Sequence, residues 1–248
     1  MVGEALLTLG VLIFLFAFYE AYYTNIASGR LQSDADRTLQ QTWDNNPRGT
    51  LTPELGEAFA RIYIPAFGTD FQFAIVEGTA EEDLLAGPGH YVDSQMSGDA
   101  GNFAVAGHRV GKGAPFNDLG NLEACDAIVI ETQDTWDVYR VLPIDPASED
   151  EARDVAKGCL STSQAERIAT GDYQGISGRS ITTPDDISTI GALPGEPSNE
   201  ATSNMEALVT LTTCHPQFSN AERMIVHGML EESIAKQDGQ RPEVLEET

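Results

Sequence analysis

Apolar residues along this chain follow three patterns. From Ala5 to Tyr19 the residues are almost wholly apolar, with no polar face for a soluble helix to show to water, and the run continues through Ala21–Tyr23 across Glu20. Residues 28–46 are polar, with Leu31, Leu39 and Trp43 scattered among them, and read as a partly helical stalk. After the turn residues of 49–56 the pattern changes to short β-branched or aromatic runs between Gly, Pro and acidic punctuation. These predict strands over Arg61–Ile64, Phe71–Val76, Phe103–Ala106, Ala127–Glu131, Trp136–Val141, Ala207–Thr213 and Met224–Leu230. Several short strands with turn signals between them indicate an all-β barrel or sandwich. Leu84–Tyr91 reads as loop and Ala114–Leu122 as a short helix. Within 146–183, Asp150–Gly158 and Gln164–Ala169 read as helices.

The first run is marginal for a membrane span, which needs about 17 to 25 residues. Tyr19, Tyr22 and Tyr23 fit an interfacial aromatic belt. No small-x-small cleavage site follows, so the run reads as an uncleaved anchor rather than a signal peptide. The first basic residue is Arg30, so charge sets no orientation. The organisation expected is a transmembrane anchor at 1–23, a polar stalk at 24–56, a catalytic domain at 57–232 with an insertion at 146–183, and a polar, acidic tail at 233–248.

A formal charge of −25 excludes the basic footprint of a nucleic-acid binder. The acid-rich stretches Glu77–Asp83, Asp145–Asp154 and the tail after Glu231 read as solvated faces. No Asp-x-Asp-x-Asp-Gly loop is present, so no calcium site is predicted. Three cysteines leave an odd one, and one free thiol plus one pair is the simplest arithmetic for an exported protein.

The candidate chemistry lies in Thr210-Leu-Thr-Thr-Cys-His-Pro216. Pro216 cannot donate to a ladder, so the strand should stop there, with Cys214 near its mouth. Arg223 stands at the entrance of the next strand, and a short polar loop would bring thiol and guanidinium together. A nearby cation favours the thiolate, which is the nucleophile. The alternative on spacing alone is a buried inert cysteine and a surface arginine. Among the histidines, His215 adjoins Cys214 but points to the other strand face. His227 reads as a mid-strand core or surface residue. His90, in Gly87-Pro-Gly-His-Tyr91, and His108, in Gly101-Asn-Phe-Ala-Val-Ala-Gly-His-Arg109, remain as candidate acids.

Thr210–Pro216, Glu222-Arg-Met-Ile-Val-His227 and Gly101–Arg109 together resemble the signature segments of sortases, most closely the class E group of actinobacteria. The resemblance runs from the apolar segment to about Leu230, with 146–183 outside it. It implies a closed eight-stranded β-barrel with short helices in the connections, preceded by one transmembrane helix, with the domain on the extracellular side. It implies a cysteine transpeptidase in which Cys214 is the nucleophile, His108 the acid and base, and Arg223 the oxyanion support. Tyr91 and Thr213 fall at substrate-binding places. The implied substrates are secreted proteins with a C-terminal Leu-Ala/Pro-x-Thr-Gly signal, cut between Thr and Gly, and the implied acceptor is an amine on a lipid-linked cell-wall precursor. No cofactor is required.

A pilin-polymerising sortase would carry an Asp-Pro-aromatic lid and a second membrane helix, and neither pattern is found. A non-catalytic membrane-tethered scaffold would explain the anchor but not the grouping of His, Cys and Arg. The insertion either covers the substrate groove or is a surface excursion. Cys125 and Cys159 either bridge it to the barrel or remain free thiols.

Overall fold

The computed structural model describes residues 2–19, 24–45, 52–237 and 240–246. Among them are five α-helices, α1 Val2–Phe18, α2 Thr24–Asn45, α3 Glu81–Ala86, α4 Glu149–Ala156 and α5 Thr162–Thr170. The strands are β1 Ala58–Tyr63, β2 Gln72–Glu77, β3 Gly89–His90, β4 Gly101–Ala106, β5 Ala127–Glu131, β6 Thr135–Val141, β7 Arg179–Thr182, β8 Ala207–His215 and β9 Glu222–Ala235. Their order is β6-β5-β1-β2-β3-β4-β8-β9, and β6 pairs with β9 to close an eight-stranded barrel. β7 pairs only with the first half of β9, beyond the closure.

Strand alternation places side chains on two faces. Val209 and Leu211 of β8 and Val226 of β9 point into the barrel core with Phe103, Ile128 and Tyr139. The intervening residues face outward in register: Leu208 opposite Met229, Thr210 opposite His227, Thr212 opposite Ile225, and Cys214 opposite Arg223. This outward row leads from a covered end to an open one. At the covered end the insertion lays Leu160, Ile168 and Tyr173 over Leu208 and Met229. The predicted helices of the insertion are present as α4 and α5, each with a serine N-cap, Ser148 or Ser161, accepting from a backbone N–H of the first turn.

A disulfide joins Cys125, just before β5, to Cys159, between α4 and α5, with Cα atoms 5.7 Å apart. It fastens the insertion to the barrel and leaves Cys214 as the free cysteine among the described residues. Closing a loop with a sequence separation of 34 constrains the unfolded chain by roughly 3 to 4 kcal/mol. Urea unfolding with and without reductant should differ by that order; overlapping curves would show that the insertion is held by its apolar contacts alone.

Next along the row, Thr210 donates to Asn102 Oδ1 at 2.7 Å and meets His227 Nδ1 at 2.9 Å, with all three side chains buried. Burial without a countercharge drives the His227 pKa from 6.5 down to about 4. Between those values the unfolded chain takes a proton that the folded chain refuses. Stability should therefore fall as pH drops through this window, by up to about 1.4 kcal/mol per pH unit. Unfolding free energies at neutral and mildly acidic pH test this, and His227→Gln should flatten the slope. An unchanged slope would put the acid sensitivity elsewhere.

Several boundaries differ from the sequence pattern. The expected Ala114–Leu122 helix is absent; that stretch is turns with one 3-10 turn at Leu119–Asn121. Lys112 and Ala114 take positive φ, and Pro115 follows, which breaks helical continuity. The segment instead inserts Phe116 into the barrel core, fully buried. The Leu84–Tyr91 loop contains the end of α3 and the two-residue strand β3, whose parallel pairing with β2 depends on a distant partner.

The stalk is the 22-residue helix α2, and it does not stand free: Leu39 and Trp43 pack on Ala58, Ala74 and Val76 of the barrel wall. The polar tail returns as well, burying Val244 and Leu245 against Tyr63 and Val129. α1 buries nothing. No helix among the described residues is long and apolar enough to cross a membrane; residues 20–23, which would extend the expected anchor, lie outside the described residues.

Candidate active site

Cys214 occupies the open end of the outward row, one residue before β8 ends. Its register partner across the ladder is Arg223, and residues directly opposite on an antiparallel pair share a face. Asn220, in the connecting turn, touches both: its Oδ1 accepts from Cys214 Sγ at 3.3 Å, and its carbonyl lies 3.5 Å from Arg223 Nη1. Arg223 Nη1 also donates to the Glu222 carbonyl at 3.0 Å.

His108 follows β4, which runs parallel beside β8. Its two neighbours in sequence are tied to the nucleophile strand. The Gly107 N–H donates to the Thr212 carbonyl at 3.0 Å, and the Gly107 carbonyl accepts from Thr213 Oγ1 at 2.7 Å. On the other side, Arg109 Nη1 donates to the Cys214 carbonyl at 3.3 Å and to His215 Nδ1 at 2.6 Å. His108 is thus bracketed against the end of β8. Gly107 has to be glycine, because a Cβ there would lie 2.4 Å from the Phe116 ring.

His108 Nε2 is buried with no hydrogen-bond partner. Its pKa is pushed down, first by burial and then by the charge of Lys112; Glu81 acts weakly in the opposite sense. A lowered pKa keeps the free imidazole neutral near pH 7 and makes its protonated form a readier acid.

Beside Arg223 a narrow crevice of about 70 Å³ lies between Tyr91, Thr212, Ile225 and the segment Thr182–Ile190. The Tyr91 hydroxyl meets Thr212 Oγ1 at 3.1 Å. Asp186, on the far wall, accepts from Ser188 Oγ and Thr182 Oγ1, both at 2.6 Å, which holds its carboxyl below the usual range.

The structure therefore brings His108, Cys214, Arg223 and Tyr91 to one end of the barrel. Thr213 lies at the same end but on the inner face. Expected at the substrate groove, Thr213 turns inward by strand alternation, is 2% exposed, and commits its hydroxyl to Gly107. Thr212 lines the crevice instead. The rival histidine is also removed: His90 is buried, bonded to Glu77 Oε2 at 2.7 Å and Ser94 Oγ at 2.9 Å, and stacked on Phe103. Asn220, Arg109 and Asp186 were not legible as site residues, because their roles depend on turns and on chain crossings without a sequence period. No cluster of His, Cys, Asp and Glu among the described residues could hold a metal ion.

The sortase domain model matches residues 62–231, which takes in most of the barrel and all of these side chains. The chain belongs to the sortase family. It is 30% identical over 251 residues to sortase SrtE1 of Streptomyces coelicolor, covering 98% of this chain and 60% of that relative's length. Among solved structures, the SrtF sortase from Corynebacterium diphtheriae superposes with a TM-score of 0.79 at 64% identity, covering 82% of this chain and 98% of that one. Sortase E from Streptomyces avermitilis superposes with a TM-score of 0.55 at 29% identity, covering 77% and 99%. The class E resemblance of the motifs thus has counterparts among these sortases, alongside a sortase of another letter at higher identity. The family is one of cysteine transpeptidases, and this sortase keeps the closed eight-stranded barrel that the resemblance implied.

Proposed function

We propose that this sortase is a membrane-anchored transpeptidase. It would cut secreted proteins between Thr and Gly of a C-terminal Leu-Ala/Pro-x-Thr-Gly signal and join them to an amine of a lipid-linked cell-wall precursor. The reading rests above all on the register of Cys214 opposite Arg223, with the His108 segment tied to the same strand end. Cys214 gives its proton to His108 and attacks the Thr carbonyl carbon. Arg223, whose planar fork of donors suits an oxyanion, steadies the tetrahedral oxygen. The C–N bond breaks as the His108 imidazolium protonates the departing glycine amine, leaving a thioester on Cys214. The acceptor amine then attacks the thioester carbonyl, its proton goes to His108, and the thiolate leaves and is reprotonated. Tyr91 and Thr212 border the crevice that would receive the signal's side chains.

The anchor is the apolar run that begins in α1. Its 17 described residues rise about 26 Å, against a hydrocarbon core of about 30 Å. The domain would lie on the extracellular side. The test is direct: incubate the chain with Leu-Ala-x-Thr-Gly and Leu-Pro-x-Thr-Gly peptides and an amine, and look for the joined product by mass. The ligated peptide should appear only with Cys214 intact. Failure to ligate or hydrolyse either peptide would remove the proposed signal.

A further inference from the structure

The mouth of the barrel differs in charge from the rest of the molecule. The sequence contains 39 Asp and Glu residues, yet none falls within 24–33, 100–117 or 207–221. These are the first half of α2, β4 with the His108 connection, and β8 with the turn after Cys214. The fold gathers the three segments. Asn25 Oδ1 accepts from the Gly113 N–H at 3.0 Å, and Gln32 Nε2 donates to the Lys112 carbonyl at 3.2 Å. On the other flank, Gln217 Nε2 donates to Asn117 Oδ1 at 2.9 Å. The cations they carry are Arg30, Arg109 and Lys112. Of the bordering acids, Glu81 is paired with Lys112, Glu222 lies 3.9 Å from His215 Nε2, and Asp186 on the crevice wall accepts from Thr182 and Ser188.

The same rim exposes large apolar side chains. Phe218, in the turn after Cys214, is 88% exposed, and Ile26 on α2 is 59% exposed. Chain length fixes where this rim lies. Phe18 ends α1 and Thr24 begins α2, so six residue steps separate them, a reach of at most about 20 Å. Asn25, bonded to the His108 connection, therefore cannot be far from the end of the apolar helix.

From this charge asymmetry, the exposed apolar rim and the short tether, we infer that the catalytic mouth is a docking face for an anionic lipid surface. The inference rests on the anchor reading above and adds to it the orientation of the domain. An acid-poor, cation-bearing rim on an otherwise strongly acidic protein is attracted to a negative headgroup layer, while the remaining surface is repelled. Phe218 and Ile26 enter the boundary between headgroups and acyl chains, as apolar residues of interfacial segments do. Cys214 and Arg223 then open toward the bilayer, where a lipid-linked amine is held.

The full chain with Phe218→Trp is reconstituted in vesicles of equal parts phosphatidylglycerol and acyl-brominated phosphatidylcholine. Its counterpart carries Asp134→Trp, in the β5–β6 turn at the other end of β9, and both are read against wild type, whose Trp43 and Trp136 are buried. The added tryptophan at 218 should be quenched at least about twofold more than the one at 134, and less in vesicles lacking phosphatidylglycerol. Equal quenching at both positions in chain that floats with the vesicles would overturn the docking face while leaving the anchor standing. Quenching at 218 that ignores phosphatidylglycerol would overturn the electrostatic attraction to anionic lipid. Chain that fails to float with vesicles would overturn the anchor reading, and the inference with it.

Discussion

Alanine at Cys214, His108 or Arg223 is expected to lower peptide ligation by about 10³-fold or more while leaving the barrel folded. The physical grounds differ for each. Cys214 sits at a strand end, half-exposed, so losing its sulfur removes the nucleophile without opening a core cavity. His108 presents an Nε2 with no structural hydrogen bond to lose. Arg223 Nη1 reaches only backbone carbonyls of its own turn, Asn220 and Glu222, so truncation leaves no carboxylate without its partner. In the proposed mechanism the three act on one thioester, so double replacements should be little worse than single ones. Initial ligation rates with matched urea midpoints test this. A variant with wild-type rate would remove its residue from the chemistry.

The largest stability effect is expected at the other end of the barrel. Glu131 is buried and accepts from Arg61 Nη1 at 3.2 Å, Tyr63 Oη at 2.7 Å and Lys236 Nζ at 2.7 Å. Arg61 is itself buried, is also held by Asp36, and lies over the Trp43 ring. This network joins α2, β1, β5 and the end of β9. Glu131→Leu takes the carboxylate from two cations and a phenol at once, and removing one partner of a buried pair costs about 3 kcal/mol or more. Arg61→Met together with Glu131→Leu should recover part of that loss, since no buried charge is then left without its partner. Urea unfolding of the single and double variants measures both. A loss below about 1 kcal/mol in the single variant would mean that Asp36 and solvent compensate fully. Ligation per folded molecule should not change, because β9 separates this cluster from Cys214 along its whole length.

How legible each part was depends on the range of the interactions that make it. Strands such as Ala127–Glu131 match their predicted bounds because alternation and β-branching are local properties. Cys214, Arg223 and His108 stand out in the sequence because they lie in segments that resemble those of sortases, and the structure brings those segments to one end of the barrel. Cys125 and Cys159 could be paired by arithmetic but not shown to meet, since a 34-residue separation says nothing of Cα distance. Thr213 was misplaced for a related reason: motif membership does not tell which of two adjacent threonines faces the groove, and only the phase of β8 against the core decides it.

By itself, then, the sequence determined the all-β class and the strongly acidic composition, and its motifs singled out Cys214, His108 and Arg223 as candidates. The first two follow from period and composition, and the candidates from the resemblance of their segments to those of sortases. Tertiary structure decided the closure of β6 on β9, the docking of α2 along the barrel wall, the inward turn of Thr213 and the meeting of Asn220 with both Cys214 and Arg223. Each of these is a contact between residues distant along the chain, or a choice of face, and neither leaves a period in the sequence to read.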